Sequence, residues 1–330
     1  MKLNSLGKSG LRVSATGLGL AALGRPGYIN LGHAEDLQGD HRVAAMEARA
    51  HRMLDAAFER GVRYFDAARS YGRAEAFLAS WLAQRKLNDE VTVGSKWGYT
   101  YTADWQVDAE KHEVKEHSLE KLSTQYAESR ALLGNGLDLY QIHSATLETG
   151  VLENTAVLGR LASLKAEGLA VGLSLSGEGQ VRTLEHALKV EVDGVPLFDA
   201  VQATFNVLEP SVGETLAQAH KAGLGVIVKE ALANGRLTER NDAPDFADTL
   251  ALLSAQASRL ETTVDALALA FVLAQPWADT VLSGASTVDQ LESNLKATEL
   301  NLDEEALEAL AGLAEPPERY WSTRAALHWN

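Results

Sequence analysis

Eight short apolar runs, each followed by residues with helical spacing, restrict what this chain can become more than any other feature. The runs lie at 16–20, 62–66, 91–95, 137–142, 169–174, 199–205, 224–228 and 278–282. Apolar spacing predicts helices at about 43–60, 73–85, 113–133, 152–167, 179–188 and 211–221, within 245–275, and at 287–297. The runs are too continuously apolar for sheets with one wet face, so each strand is read as buried on both sides. Eight βα units in 330 residues is the arithmetic of a closed (β/α)8 TIM barrel. Leu3 to Val13 alternates about Gly7 and Gly10 and reads as an N-terminal β-hairpin. Residues 303–313 read as an extra helix, followed by a tail at 315–330 with Tyr320, Trp321 and Trp329 laid over the barrel. No linker or low-complexity tract interrupts the series, so 1–330 is read as a single barrel domain.

Composition narrows the function classes. A net charge of -15 repels nucleic acid and anionic membrane, and neither is expected as a partner. The chain has no cysteine, which excludes disulfides, thiolate metal sites and a cysteine nucleophile. His33, Glu35 and Asp36 lack metal-ligand spacing, and no His-Glu-x-x-His or His-x-His occurs, so no metal is expected. The first residues lack an apolar leader core and no later run reaches membrane-spanning length, so a cytoplasmic location is expected. Gly17 to Ala22 fits the Gly-x-Gly-x-x-Ala form of a dinucleotide fingerprint, but Gly24, Pro26 and Gly27 interrupt the helix that such a fingerprint must open. It is read as a glycine-rich strand end.

Four ionisable residues sit at or just past strand ends: Asp66, Tyr71, Lys96 and His143. In a barrel the loops after the strands share one rim, so spacing alone gathers all four there. A tyrosine titrates near ~10 and serves as an acid more readily beside an ammonium that stabilises its phenolate. Lys96 is suited to supply that charge, Asp66 to hold Lys96 protonated, and His143 to bond a carbonyl oxygen gaining negative charge. Singly, each residue has an ordinary structural explanation; together they point to proton transfer at a carbonyl.

Three segments carry a family resemblance. Phe65-Asp66-Ala67-Ala68-Arg69-Ser70-Tyr71-Gly72, Gly94-Ser95-Lys96-Trp97-Gly98 and Asp138-Leu139-Tyr140-Gln141-Ile142-His143-Ser144 resemble the catalytic motifs of the aldo-keto reductases. The resemblance runs from the hairpin at Leu3–Gly7 to Asn294. It implies a nicotinamide dinucleotide held without a Rossmann domain, NADP(H) favoured over NAD(H), and a small carbonyl or alcohol substrate. It further implies Ser174 and Gln202 at the carboxamide, and the loop Ala231–Leu237, with Leu232 and Arg236, along the pyrophosphate. Ser286 and Gln290 would lie near the 2′-phosphate and Asn294 near adenine.

The sequence departs from the family pattern at three points. Leu175 stands where Asn or Arg often follows the carboxamide serine, and Gln290 where many NADP-specific members carry arginine, which leaves Ser286 and Arg236 for the 2′-phosphate. Lys229 stands where an aromatic residue usually stacks on the nicotinamide, and is suited either to lie along that ring or to pair with Glu230. Two alternatives to a carbonyl reductase remain at this stage. One is a cofactor-binding regulatory or redox-sensing subunit with little turnover. The other is a Schiff-base aldolase through Lys96, which Asp66 should oppose by keeping the lysine charged. The aromatic group after the third strand, Trp97, Tyr99, Tyr101, Trp105 and His112, is expected to line a substrate pocket rather than to pack as a small core.

Overall fold

The computed structural model describes residues 1–330. Along the chain come β1 (Leu3–Ser5), β2 (Arg12–Ser14), β3 (Thr16–Gly19), α1 (His33–Leu37), α2 (Val43–Glu59), β4 (Tyr64–Asp66), α3 (Ala74–Arg85) and β5 (Thr92–Trp97). There follow β6 (Tyr99–Tyr101), β7 (Glu113–Lys115), α4 (Leu119–Leu133), β8 (Leu139–Ala145), α5 (Thr155–Ala166), β9 (Ala170–Leu175), α6 (Gln180–Ala187), β10 (Glu191–Val192) and β11 (Val195–Pro196). The last third holds β12 (Ala200–Thr204), α7 (Gly213–Ala222), β13 (Gly225–Lys229), α8 (Ala247–Arg259), α9 (Val264–Leu273), β14 (Thr280–Ser283), α10 (Val288–Leu295), α11 (Glu304–Ala311) and α12 (Pro317–Ala325).

Strands β3, β4, β5, β8, β9, β12, β13 and β14 pair in parallel, in that order, and β14 returns to β3 to close the barrel. Closure removes both sheet edges, and the helices cover the outside, which explains the continuous apolar runs. In α2 the buried Met46, Ala50, Met53, Leu54 and Ala57 fall on one stripe facing the barrel. Helix α9 is apolar on nearly all sides because α8 and α10 flank it as well as β14. The hairpin β1–β2 plugs the end opposite the site: Leu6 and Val13 pack with Tyr64, Leu139, Ala170, Ala200 and Ile227 inside the barrel. No helix is long and apolar enough to cross a membrane.

The structure departs from the periodicity in four places. The helix read at 113–133 begins only at Leu119, because Ser118 Oγ accepts the Lys121 N–H at 3.1 Å and caps it there. Residues Glu113–Lys115 instead pair antiparallel with Tyr99–Tyr101 as an extra hairpin. Helix α5 likewise starts after its cap, with Asn154 Oδ1 accepting from Val157 N at 3.2 Å. The polar stretch at 24–42 contains α1, and the tail contains α12, whose Tyr320 and Trp321 are buried. The chain then crosses the mouth of the barrel, where Tyr28 and Asn330 exchange two backbone hydrogen bonds of 3.1 Å.

Candidate functional site

Asp66 ends β4, Lys96 lies in β5 and His143 in β8. The pairing of Asp66 with Gly94, and of Lys96 with Gln141, puts these side chains on the same rim. Beyond Ile142 the β8–β9 register slips, and Ser144 takes a φ of 51° that turns the strand end at the rim. Tyr71 follows β4 in a loop pinned by main chain: Ala67 N donates to Gly94 O at 2.8 Å and Arg69 N to Lys96 O at 3.0 Å. Two glycines permit this loop. A Cβ on Gly24 would come within 2.2 Å of Tyr71 O, and Gly72, at φ +59°, would press a Cβ onto Gly24 O at 2.5 Å. Outside the loop, Arg69 pairs with buried Glu75 at 2.5 Å and with Glu128 at 2.7 Å.

The four groups meet. Lys96 is fully buried and spends its three N–H bonds on Asp66 Oδ2, on Ala67 O at 2.9 Å and on Tyr71 Oη at 3.4 Å. Asp66 Oδ1 accepts from Gln202 Nε2 at 2.9 Å and from the Tyr64 hydroxyl at 3.2 Å. The Tyr71 and His143 rings lie edge to face at 5.5 Å. Ser70 Oγ stands 3.4 Å from His143 Nδ1, which leaves Nε2 for the cavity. Burial, reinforced by Asp66, pushes the Tyr71 phenol well above its ordinary range, so it is protonated at neutral pH. Burial, followed by the charges of Lys96, Lys229 and Arg25, holds His143 well below its ordinary range, so the imidazole is neutral.

A cavity of about 590 Å³ opens above these residues, lined at one end by Tyr71, Tyr99 and His143 and elsewhere by Gln290 and Asn294. Gln202, Lys229 and Leu232 also line it. Ser174, Arg236 and Ser286 do not. Ser174 is fully buried beneath the wall and accepts the Ser144 N–H at 2.8 Å, while Ser176 takes the cavity surface and Leu175 joins the core. Arg236 turns away because Glu315 draws it, at 2.6 and 3.1 Å, against the Tyr320 ring. Ser286 donates to Asp36 at 2.6 Å.

Lys229 does pair with Glu230, at 3.8 Å, and donates to Thr204 Oγ1 at 2.7 Å. Burial pulls its amine down to about 8. Burial would raise the Glu230 carboxyl, but Arg324 and then Lys229 bring it down to about 2. Of the aromatic group after β5, only Tyr99 reaches the cavity. Trp97 is fully buried against His117, Trp105 packs edge-on against Phe77, Tyr101 lies in the β6–β7 hairpin and His112 stacks on Trp329 at 3.8 Å. The group therefore does not line the pocket as a set: apart from Tyr99, its members pack against separate elements, Trp105 on α3 and His112 on the C-terminal Trp329.

The pattern of the aldo/keto reductase family matches residues 31–315. The chain belongs to the aldo/keto reductase family. Relatives within it include the aldo-keto reductase str7 of Strobilurus tenacellus, 24% identical, with 91% of this chain and 88% of that protein aligned. Another is an NADH-specific methylglyoxal reductase of Escherichia coli, 25% identical, with 97% of this chain and 100% of that protein aligned. The holo form of aldo-keto reductase AKR11C1 from Bacillus halodurans superposes with a TM-score of 0.74 at 24% identity, covering 96% of this chain and 97% of that one. The barrel of this family member is therefore the aldo-keto reductase fold, and the family binds a nicotinamide cofactor.

Sequence reasoning missed several groups at the site of this aldo-keto reductase. Arg25 is 2% exposed, donates to Ser70 O at 3.0 Å, pairs with Glu113, and stands 5.4 Å from the Tyr71 ring. Arg324 reaches in from α12 to donate to Glu230 at 2.9 and 3.0 Å. Arg240 lines the far wall and is held from behind by Asp36, to which it donates at 2.6 and 3.1 Å. The only sequence signal for Arg25 was a charge between Gly24 and Pro26, and Arg324 had none, since it sits in a polar stretch with Glu318, Arg319, Ser322 and Thr323.

Proposed function

We propose that this family member is a nicotinamide-dependent oxidoreductase that interconverts an aldehyde or ketone and its alcohol. The observation that carries the reading is the convergence of Lys96 Nζ, 3.4 Å from the Tyr71 hydroxyl, and His143, 5.5 Å from the same ring, at one end of a cavity of about 590 Å³. The walls suit a dinucleotide: Gln202, Lys229, Leu232, Gln290 and Asn294 would hold it. When bound, its reduced nicotinamide supplies the hydride. Tyr71 gives its proton to the carbonyl oxygen in reduction and takes one back in oxidation. Lys96 stabilises the phenolate left behind, and Asp66 keeps Lys96 charged and aimed. Neutral His143 donates from Nε2 to the oxygen as it becomes negative. Gln202, tied to Asp66 by its amide nitrogen, keeps its amide oxygen for the carboxamide. The pairing of Lys96 with Asp66 and its hydrogen bond to Ala67 O also count against a Schiff-base role.

Steady-state consumption of NADH or NADPH against a panel of small aldehydes and ketones tests this reading. Turnover that saturates with the carbonyl supports it. Cofactor binding without turnover on any member of the panel would favour a redox-sensing subunit instead.

A further inference from the structure

Asp36 carries a charge that the reading above leaves unused. It projects from α1, in the segment that leaves β3, and its side chain is 3% exposed. Its carboxylate accepts from Ser286 Oγ at 2.6 Å, Gln290 Nε2 at 2.8 Å and Arg240 at 2.6 and 3.1 Å. Gln290 Oε1 in turn accepts the Ser286 N–H at 2.9 Å. Burial raises the Asp36 pKa, but Arg240, Ser286 and Gln290 together outweigh it and leave the group below its ordinary range, hence ionised at neutral pH. A phosphate placed here would need these same donors and would meet this same charge.

We propose that Asp36 sets dinucleotide preference: by holding Ser286, Gln290 and Arg240 it denies them to a 2′-phosphate and makes the site select NAD(H) over NADP(H). This rests on the nicotinamide reading and reverses the preference expected from the sequence, which had counted Ser286 and Arg236 as free donors. Asp36 is a positioning residue, since it acts through Arg240 and Gln290, which line the cavity, and does not line it itself. A 2′-phosphate of charge near -2 could claim those donors only by leaving a buried carboxylate unpaired beside it, a like-charge contact in a dry place. A 2′-hydroxyl makes no such demand.

The surrounding charges favour the same outcome. Glu239, Asp265 and Asp289 also line the cavity, and the cation that Asp36 neutralises, Arg240, lines it too. Arg49 and Arg52 lie off that cavity, in a smaller hollow of about 180 Å³ shared with Asp36, Ser286 and Thr287. Arg49 Nη2 is bound there to Leu37 O at 2.9 Å. Removing the Asp36 charge would free Arg240, Ser286 and Gln290 as donors, which is what a phosphate requires.

Fluorescence titration of the full chain with NADH and with NADPH tests the proposal, using the unmodified protein, Asp36→Asn and Asp36→Ser. The unmodified protein should bind NADH more tightly than NADPH by on the order of tenfold or more. Each substitution should tighten NADPH by about tenfold and move NADH little. A merely structural role would weaken both dinucleotides together, so the ratio of the two dissociation constants is the diagnostic quantity. Tighter NADPH binding by the unmodified protein, or an unchanged ratio in both variants, overturns the proposal while leaving the nicotinamide reading intact. Binding of neither dinucleotide by the unmodified protein overturns both. Should a variant fail to fold, the ratio in the unmodified protein still decides.

Discussion

Lys229 is a buried amine where the family usually places a ring, and its cost can be read from pH. The unfolded chain keeps the proton to an ordinary 10.5, whereas the folded site releases it at about 8. Between those values the unfolded state binds more protons, so stability rises with pH across the window. Relative to Lys229→Met, which lacks this titration, the unmodified protein should gain stability in urea melts as pH rises from about 8 to 10.5. A flat difference would mean that the amine is solvated in solution. The Lys96–Asp66 pair makes the opposite kind of claim. Both side chains are buried, at 0% and 2% exposure, so removing one partner strands the other. Lys96→Met should cost about 3 kcal/mol or more, and Lys96→Met with Asp66→Asn less than the sum of the single changes, because the stranded charge is gone. Strict additivity in a double-mutant cycle would contradict the coupling.

At the scale of elements, α12 is fastened to the barrel rim by one charge cluster. Arg324 on α12 pairs with Glu230, which sits at φ 55° just past β13, and Asn206 Nδ2 bonds both Glu230 O and the Tyr320 hydroxyl at 2.9 Å. The Glu230 carboxyl is lowered from an ordinary 4.5 to about 2, so its contribution is present above 4.5 and lost as pH falls toward 2. Arg324→Leu should therefore raise the midpoint of acid unfolding. At neutral pH it should cost about 2 kcal/mol, less than a fully buried pair because the Arg324 side chain keeps 24% exposure. An acid midpoint unmoved by the substitution would show that the clasp is not formed in solution. The strands and most helices were legible from periodicity, since a doubly covered strand must be continuously apolar. Helix starts were not, because Ser118 and Asn154 act through single hydrogen bonds that periodicity does not register. The quartet at the rim was legible for the same reason as the barrel: strand ends are countable. The fates of Arg236, Ser174 and Ser286 were not, because each is claimed by a partner distant in sequence, Glu315, Ser144 or Asp36.

For the whole molecule, a net charge of -15 sets how an anionic cofactor arrives. The cavity does not offset that field, since six carboxylates and four cations line it. Association of NADH should therefore speed up as salt shortens the screening length toward about 8 Å, which stopped-flow fluorescence would follow. A rate that falls with salt would mean that the local guanidinium groups steer the cofactor instead. The barrel, the plug beneath it and the helical clasp above it fix one arrangement, Tyr71 kept protonated by burial beside the Lys96 amine and a neutral His143 imidazole. Its most direct test is Tyr71→Phe, measured by carbonyl turnover and by cofactor titration on the same preparation. Turnover should fall by about 10³-fold or more with the cofactor dissociation constant nearly unchanged. Turnover that survives the substitution would contradict the role given to Tyr71, and loss of cofactor binding together with turnover would assign it to holding the cofactor instead.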